Sequence, residues 1–101
     1  MYLDYLRQQI EWSKKTFGDG RRTNGIIEHI RSELLEIEQE PDDLEEWCDV
    51  VILALDGAWR TGHTPKQIIE MLEKKQQKNF AREWPDLKGI DVPVYHKRLL
   101  Y

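Results

Sequence analysis

Two pairs of carboxylates stand out because the members of each pair are one helical turn apart. Glu33 and Glu36 form the first pair, and Glu46 and Asp49 form the second. Pro and Asp at positions 41–43 favour a turn between them, so helices joined there would run antiparallel. The two pairs lie at matched distances from this turn and should meet at the same height, to within roughly one helical rise of 1.5 Å.

Carboxylates that converge in a partly dry interior repel each other, and an unpaired buried charge costs several kcal/mol. A hard divalent cation with oxygen ligands would relieve this repulsion, with Mg²⁺ as the first choice and Mn²⁺ as its substitute. Zinc would require histidine or cysteine in addition, and a di-iron bundle would require Glu-x-x-His on two helices. An ordinary solvated acidic face remains the alternative interpretation.

Turn-forming residues divide the chain into four segments with helical periodicity and an irregular tail. The predicted helices cover residues 3–17, about 24–40, about 42–60 and about 65–83, and the tail covers 86–101. Suitable N-terminal caps are Thr23 or Asn24, Asp42 with Glu45, and Thr64 before Pro65. Short connections between helices of this length predict one all-α domain, an antiparallel four-helix bundle.

Apolar side chains recur on one face of three of these helices, and the third helix is apolar almost all round. We expect it to be largely buried, and a single four-helix bundle cannot cover every face of it. The expected inward residues of the other three helices are Leu3, Leu6, Ile10, Ser13 and Phe17; Ile26, Ile27, Ile30, Leu34 and Ile37; and Ile68, Met71 and Leu72. Asp56 is expected to form an ordinary i,i+4 ion pair with Arg60.

The inward stripe of the last helix continues as Lys75, Asn79 and Arg82, with Lys78 at its edge. These side chains suit an anionic ligand, because ammonium and guanidinium groups bind phosphate oxygens. Basic residues that complement a helix C-terminus are the simpler alternative.

Aromatic residues on the first helix offer a surface for a nucleobase. Trp12 and Phe17 flank Ser13, and an indole face there could stack on a base. A tryptophan packed in the core or at an interface is the alternative.

Composition excludes several other classes of protein. Fifteen basic against nineteen acidic residues give a net charge of −4, which is unfavourable for general nucleic-acid binding. The single Cys48 permits no internal disulfide and favours a reducing compartment. No apolar run approaches the roughly 20 residues of a membrane span, and residues 1–7 lack a basic signal-peptide start, so a cytoplasmic location is expected.

The motifs together resemble a known family. Glu33-Leu-Leu-Glu36 followed by Glu46-Trp-Cys-Asp49 is similar to the ExxE…ExxD signature of the MazG-like all-α nucleoside triphosphate pyrophosphatases. The set Lys75, Asn79 and Arg82 resembles their KxxxNxxR element. Over residues 10–86 the chain looks like the dATP/dGTP diphosphohydrolase branch, some members of which are carried by phages.

This resemblance implies hydrolysis of a purine deoxynucleoside triphosphate, dGTP or dATP, to the monophosphate and pyrophosphate. It implies metal binding by Glu33, Glu36, Glu46 and Asp49, of which Glu36 is the candidate to act instead as the general base. Lys75, Lys78, Asn79 and Arg82 would contact the phosphates or the sugar. The base would lie near Trp12, Ser13 and Phe17. Family members form homodimers or homotetramers. A non-catalytic helical oligomerisation module remains the alternative function.

Overall fold

The computed structural model describes residues 2–97, which form four helices and no β-strand. The helices are α1 (Tyr2–Phe17), α2 (Thr23–Gln39), α3 (Leu44–Trp59) and α4 (Pro65–Ala81). The predicted all-α class with four helices is confirmed, and each helix lies within a few residues of its expected bounds. The tail is irregular from residue 86 to 97, as expected, and the expectation for 98–101 lies outside the described residues.

The chain divides into two compact units, with the boundary between Ile69 and Glu70, inside α4. The first unit contains α1, α2, α3 and the start of α4. The second contains the rest of α4 and the segment that follows it. The single domain expected from chain length stays a prediction.

The core of the first unit forms on one side of α3. Leu6 and Ile10 of α1 pack with Trp59 of α3 and Ile68 of α4, and all four side chains are buried. Leu6 and Ile10 are four residues apart, so they lie on the same face of α1, and this face packs into the core. Both α1 and α2 pack against α3, so α3 is the central helix of this unit.

The connection from α1 to α2 begins with a glycine in the left-handed region. Gly18 has φ +88°, and its amide donates to the Lys14 carbonyl at 2.8 Å, which ends α1 in the usual way for glycine. Arg22 occupies the N-cap position of α2 and makes no side-chain capping hydrogen bond. The expected cap at Thr23 or Asn24 is therefore wrong, because the helix already includes both residues.

The turn between α2 and α3 is held at both ends. The Asp43 carboxylate accepts a hydrogen bond from the Glu45 amide at 3.0 Å, so Asp43 is the N-cap of α3 and the expected cap at Asp42 is wrong by one residue. The Trp47 indole donates to the Pro41 carbonyl at 2.8 Å. These contacts fix the turn that sets the register of the two helices.

The start of α4 agrees with expectation. The Thr64 hydroxyl accepts from the Gln67 amide at 3.2 Å, and the Gln67 side chain accepts from the Thr64 amide at 2.9 Å. This reciprocal cap precedes Pro65, the first residue of the helix. Of the expected inward stripe, Ile68 is buried, whereas Met71 and Leu72 are exposed.

The expectation that α3 is largely buried is wrong. Trp47 and Val51 are 51% and 57% exposed, because α1 and α2 pack against other sides of the helix. On α2, Ile27 and Leu34 are also exposed, although Ile26 and Ile37 are buried as expected, and on α1 Phe17 is exposed. Within residues 2–97, no helix combines the length and hydrophobicity required to cross a membrane.

Candidate metal centre and its surroundings

The packing of α2 against α3 places Glu33 in the first unit's interior. On the same helix face, Ile26 lies two turns before it and Ile37 one turn after it. Both are buried, and Glu33 itself is only 8% exposed. A carboxylate at such a position lies between apolar side chains and cannot be freely solvated. The helical repeat that builds the apolar face of α2 therefore also places the Glu33 carboxylate in the interior.

Three carboxylates from the two helices meet at this position, and together they are called the acidic group. One carboxylate oxygen from each of Glu33, Glu46 and Asp49 lies within 4.8 Å of the others. Glu46 and Asp49 are half-buried on the first turns of α3. The structure thus brings together three of the four predicted metal ligands, at the matched height that their spacing from the turn predicts.

Two oxygens of this group are buried without a hydrogen-bond partner, Oε2 of Glu33 and Oε2 of Glu46. A buried polar atom without a partner is unfavourable, and most such atoms in folded proteins are paired. Two such oxygens on carboxylates of the acidic group favour a positively charged ligand. Because the three donors are carboxylate oxygens, they suit a hard divalent cation such as Mg²⁺ or Mn²⁺.

The electrostatics of the group agree with this. The pKa of Glu46 is raised from 4.5 to about 7, chiefly because the Glu36 carboxyl lies against it, and further because of burial and the charge of Glu33. Burial is the main cause of a raised pKa at Glu33, and Glu36 and Asp49 add to it. In the metal-free protein Glu33 and Glu46 therefore hold protons more tightly than isolated glutamates do.

Glu36, the fourth predicted ligand, is at the exposed edge of the group. It is close enough to be a main cause of the raised pKa of Glu46, so it borders the same site. An accessible carboxylate beside the three inner ones is in a suitable place to accept a proton from water. Its role as ligand or general base remains a prediction.

The predicted nucleobase residues on α1 have different surroundings. The rings of Trp12 and Phe17 are edge to face at 5.5 Å and both are exposed. The guanidinium of Arg22 lies 4.4 Å from the centre of the Phe17 ring. Ser13, in contrast, is 1% exposed, and the structure places it in a buried polar network rather than in an open site.

The buried network is centred on Asp56, which lies in α3, and on Arg60, the C-cap residue of that helix. Asp56 accepts hydrogen bonds from the Ser13 hydroxyl at 2.6 Å, the Trp59 indole at 2.7 Å and Arg60 Nε at 3.2 Å. The guanidinium of Arg60 also donates to the carbonyls of Gly18 and Gly20, at 2.8 and 2.6 Å, and to the Ser13 hydroxyl at 2.9 Å. The predicted Asp56–Arg60 pair is confirmed, but it joins α1, the α1–α2 connection and α3 instead of lying at the surface.

The predicted phosphate-binding residues Lys75, Lys78, Asn79 and Arg82 belong to the second unit. Lys75 and Lys78 are exposed, and Asn79 and Arg82 are half-buried. The Asn79 carbonyl accepts from the Trp84 indole at 2.8 Å, and the Trp84 ring lies edge to face with His96 at 5.9 Å. The segment after α4 is therefore folded onto the end of the helix that carries the basic residues.

One residue beside the site has no role in the sequence motifs. His29 lies one turn before Glu33 on α2, and its Nε2 atom is 3.3 Å from Oε1 of Glu33. The i,i+4 spacing of a histidine and a glutamate was the available signal, but such pairs are common on helix surfaces.

Comparison with known proteins agrees with this geometry. Residues 5–96 match the dATP/dGTP pyrophosphohydrolase family. The chain belongs to that family. It is also 37% identical over 91 residues to the "Eaa protein" of Salmonella phage P22. This alignment covers 90% of the chain but only 28% of the length of the phage protein. No solved structure matches.

Membership of the dATP/dGTP pyrophosphohydrolase family confirms the resemblance read from the sequence motifs. The matched region contains both acidic pairs of the α2–α3 hairpin and the basic residues at the end of α4. The family's name describes a pyrophosphohydrolase of dATP and dGTP.

Proposed function

We propose that this protein is a pyrophosphohydrolase that cleaves purine deoxynucleoside triphosphates, dGTP or dATP, between the α and β phosphates with the help of Mg²⁺. The observation that carries the proposal is the group formed by Glu33, Glu46 and Asp49, with two buried oxygens that have no partner. The family match supports the substrate class.

In this reaction the oxygen of water forms a bond to the α-phosphorus while the bond from that phosphorus to the bridging oxygen breaks. The products are a deoxynucleoside monophosphate and pyrophosphate. Mg²⁺, held by Glu33, Glu46 and Asp49 and with Glu36 as a further ligand, would neutralise phosphate charge and lower the pKa of water. As the alternative to its role as a ligand, Glu36 is our candidate to take the proton that the attacking water releases, since its carboxylate borders the group and is exposed.

Other side chains are proposed to hold the substrate. Lys75, Lys78, Asn79 and Arg82 would bind phosphate oxygens or the sugar, because they supply several donors for an anion. Trp12 and Phe17 would provide an exposed aromatic surface for the base. Ser13 is not included among the substrate contacts. It belongs to the Asp56–Arg60 network, and contact with substrate would require its two buried hydrogen bonds to break.

A homodimer or homotetramer is also proposed. The exposed Trp47 and Val51 of α3 and the exposed Ile27 and Leu34 of α2 support it, because large apolar side chains are costly to leave in water. A cleft of about 230 Å³ between the two helices is lined by Ile27. Light scattering coupled to gel filtration measures the oligomeric state.

A cytoplasmic location, in the host cell if a phage encodes the chain, stays a prediction.

The test is a panel of canonical and modified nucleoside triphosphates with Mg²⁺, scored for pyrophosphate release. We expect activity on the deoxypurine substrates, and its loss in Glu33→Gln and in Asp49→Asn while the helical circular dichroism persists. Glu28→Gln is the matched control, because Glu28 is an exposed carboxylate on α2 outside the acidic group.

A flat zero across the panel, together with a melting temperature that Mg²⁺ does not change, would favour the non-catalytic oligomerisation module instead. That alternative has one supporting observation, the exposed apolar side chains of α2 and α3. It also predicts that neutralising the acidic group changes stability by no more than about 0.5 kcal/mol.

A further inference from the structure

The two oxygens of the Glu33 carboxylate have different surroundings. Oε1 lies 3.3 Å from Nε2 of His29, one turn earlier on α2. Oε2 is buried and has no hydrogen-bond partner. The histidine therefore occupies one oxygen and leaves the other for a ligand.

The remaining groups that act on Glu33 are acidic. Glu36 and Asp49 repel its charged form and raise its pKa, whereas the contact with the Glu46 carboxyl lowers that pKa. Because repulsion from Glu36 and Asp49 and the cost of burial both act on this carboxylate, a favourable contact with a side chain outside the acidic group would help to hold it in place. The imidazole supplies such a contact at the edge of the group, where its own side chain is 58% exposed.

We propose that His29 is a positioning residue, which fixes the Glu33 carboxylate through Oε1 so that Oε2 stays available to a divalent cation. This inference rests on the proposed function, because it assumes that Glu33 is a metal ligand. Groups that hold a metal-binding carboxylate in place typically change metal affinity by about 10- to 100-fold when they are removed. A surface pair with no such role would change it very little.

The experiment measures Mn²⁺ binding to the full chain by titration calorimetry, without nucleotide and at one fixed pH. His29→Leu removes the N–H group at similar size, whereas His29→Gln retains an N–H donor that can reach an acceptor four residues on. His63→Leu is the matched control. His63 is exposed, its Nδ1 atom lies 2.7 Å from the Thr61 hydroxyl, and it is outside the acidic group.

We expect His29→Leu to bind Mn²⁺ about 10- to 100-fold more weakly than wild type, and His29→Gln to recover most of that loss. His63→Leu should bind as wild type does. Because His29 is largely exposed, the metal-free melting temperature of His29→Leu should stay close to that of the wild type, and this second readout separates positioning from a folding defect.

Two results overturn the inference while leaving the proposed function intact. One is wild-type affinity in His29→Leu. The other is an equal loss in His29→Leu and His29→Gln, which would show that a polar contact with Oε1 of Glu33 is not what matters. Absence of Mn²⁺ binding in the wild type overturns the proposed metal site itself and this inference with it.

Discussion

Replacing Asp56 should destabilise the first unit more than any change at an exposed acidic residue. Asp56 and Arg60 are each 6% exposed, and Asp56 receives hydrogen bonds from Ser13, Trp59 and Arg60. In Asp56→Ala the Arg60 guanidinium stays buried without its carboxylate. Removing one partner of a buried ion pair costs about 3–5 kcal/mol.

For a domain of this size, such a loss lowers the melting temperature by at least about 12 °C. Urea unfolding followed by circular dichroism measures the free energy, with Asp42→Ala as the control because Asp42 is exposed in the α2–α3 turn. If Asp56→Ala proves too unstable to fold, Asp56→Asn keeps an oxygen acceptor for Ser13 and Trp59 and isolates the loss of charge.

The pair also predicts a sign for the double variant. Because Arg60→Met removes the stranded charge, Asp56→Ala/Arg60→Met should cost less than the sum of the single changes, by about 0.5–3 kcal/mol. Part of the cost remains, since Arg60 also binds the carbonyls of Gly18 and Gly20. Strict additivity, or an Asp56→Ala cost within about 0.5 kcal/mol of that of Asp42→Ala, would refute this reasoning.

Other predictions concern the acidic group, the network and two glycines. In the metal-free protein the pKa of Glu46 is raised from 4.5 to about 7, so protonated Glu46 contributes stability that is fully present below pH 4.5 and is lost as the pH rises through 7. Glu46→Gln should reduce this loss, measured as the difference in the free energy of urea unfolding between about pH 5 and pH 8. An unchanged pH dependence would contradict it. Ser13→Ala should cost about 1–3 kcal/mol in the same assay, because it removes a buried donor to Asp56, and a neutral result would show that the network adapts. Gly57→Ala should stabilise by about 1 kcal/mol, since an added Cβ meets only Ile26 at an ordinary 3.8 Å, whereas Gly62→Ala should destabilise by about 1–2 kcal/mol because φ is +93° there; melting temperatures that shift in the same direction would refute this pair.

The helices could be predicted because their signals are local. The apolar repeat of α1 and the Thr64–Pro65 start of α4 follow from residues within one or two turns. Caps were harder, because both Asp42 and Asp43 carry the required carboxylate and only backbone geometry selects Asp43. The α3 helix was expected to be buried because composition shows that it is apolar but not which sides its neighbours cover.

The acidic group was predicted in part. The spacing of Glu33, Glu46 and Asp49 from a shared turn determines their height along the hairpin, and the structure brings them together. The two unpartnered oxygens and the contact between His29 and Oε1 of Glu33 depend on side-chain placement, which a helical repeat does not specify.

The amino-acid sequence by itself determined the all-α class, the four helices and the two acidic pairs, because periodicity and turn chemistry act over a few residues. Tertiary structure decided that Ser13 and Arg60 are buried together, since those residues are 47 positions apart and meet only when α1 packs against α3. It also decided which carboxylates lose their water, because burial depends on the helix packed opposite and not on the residue's own neighbours in the chain.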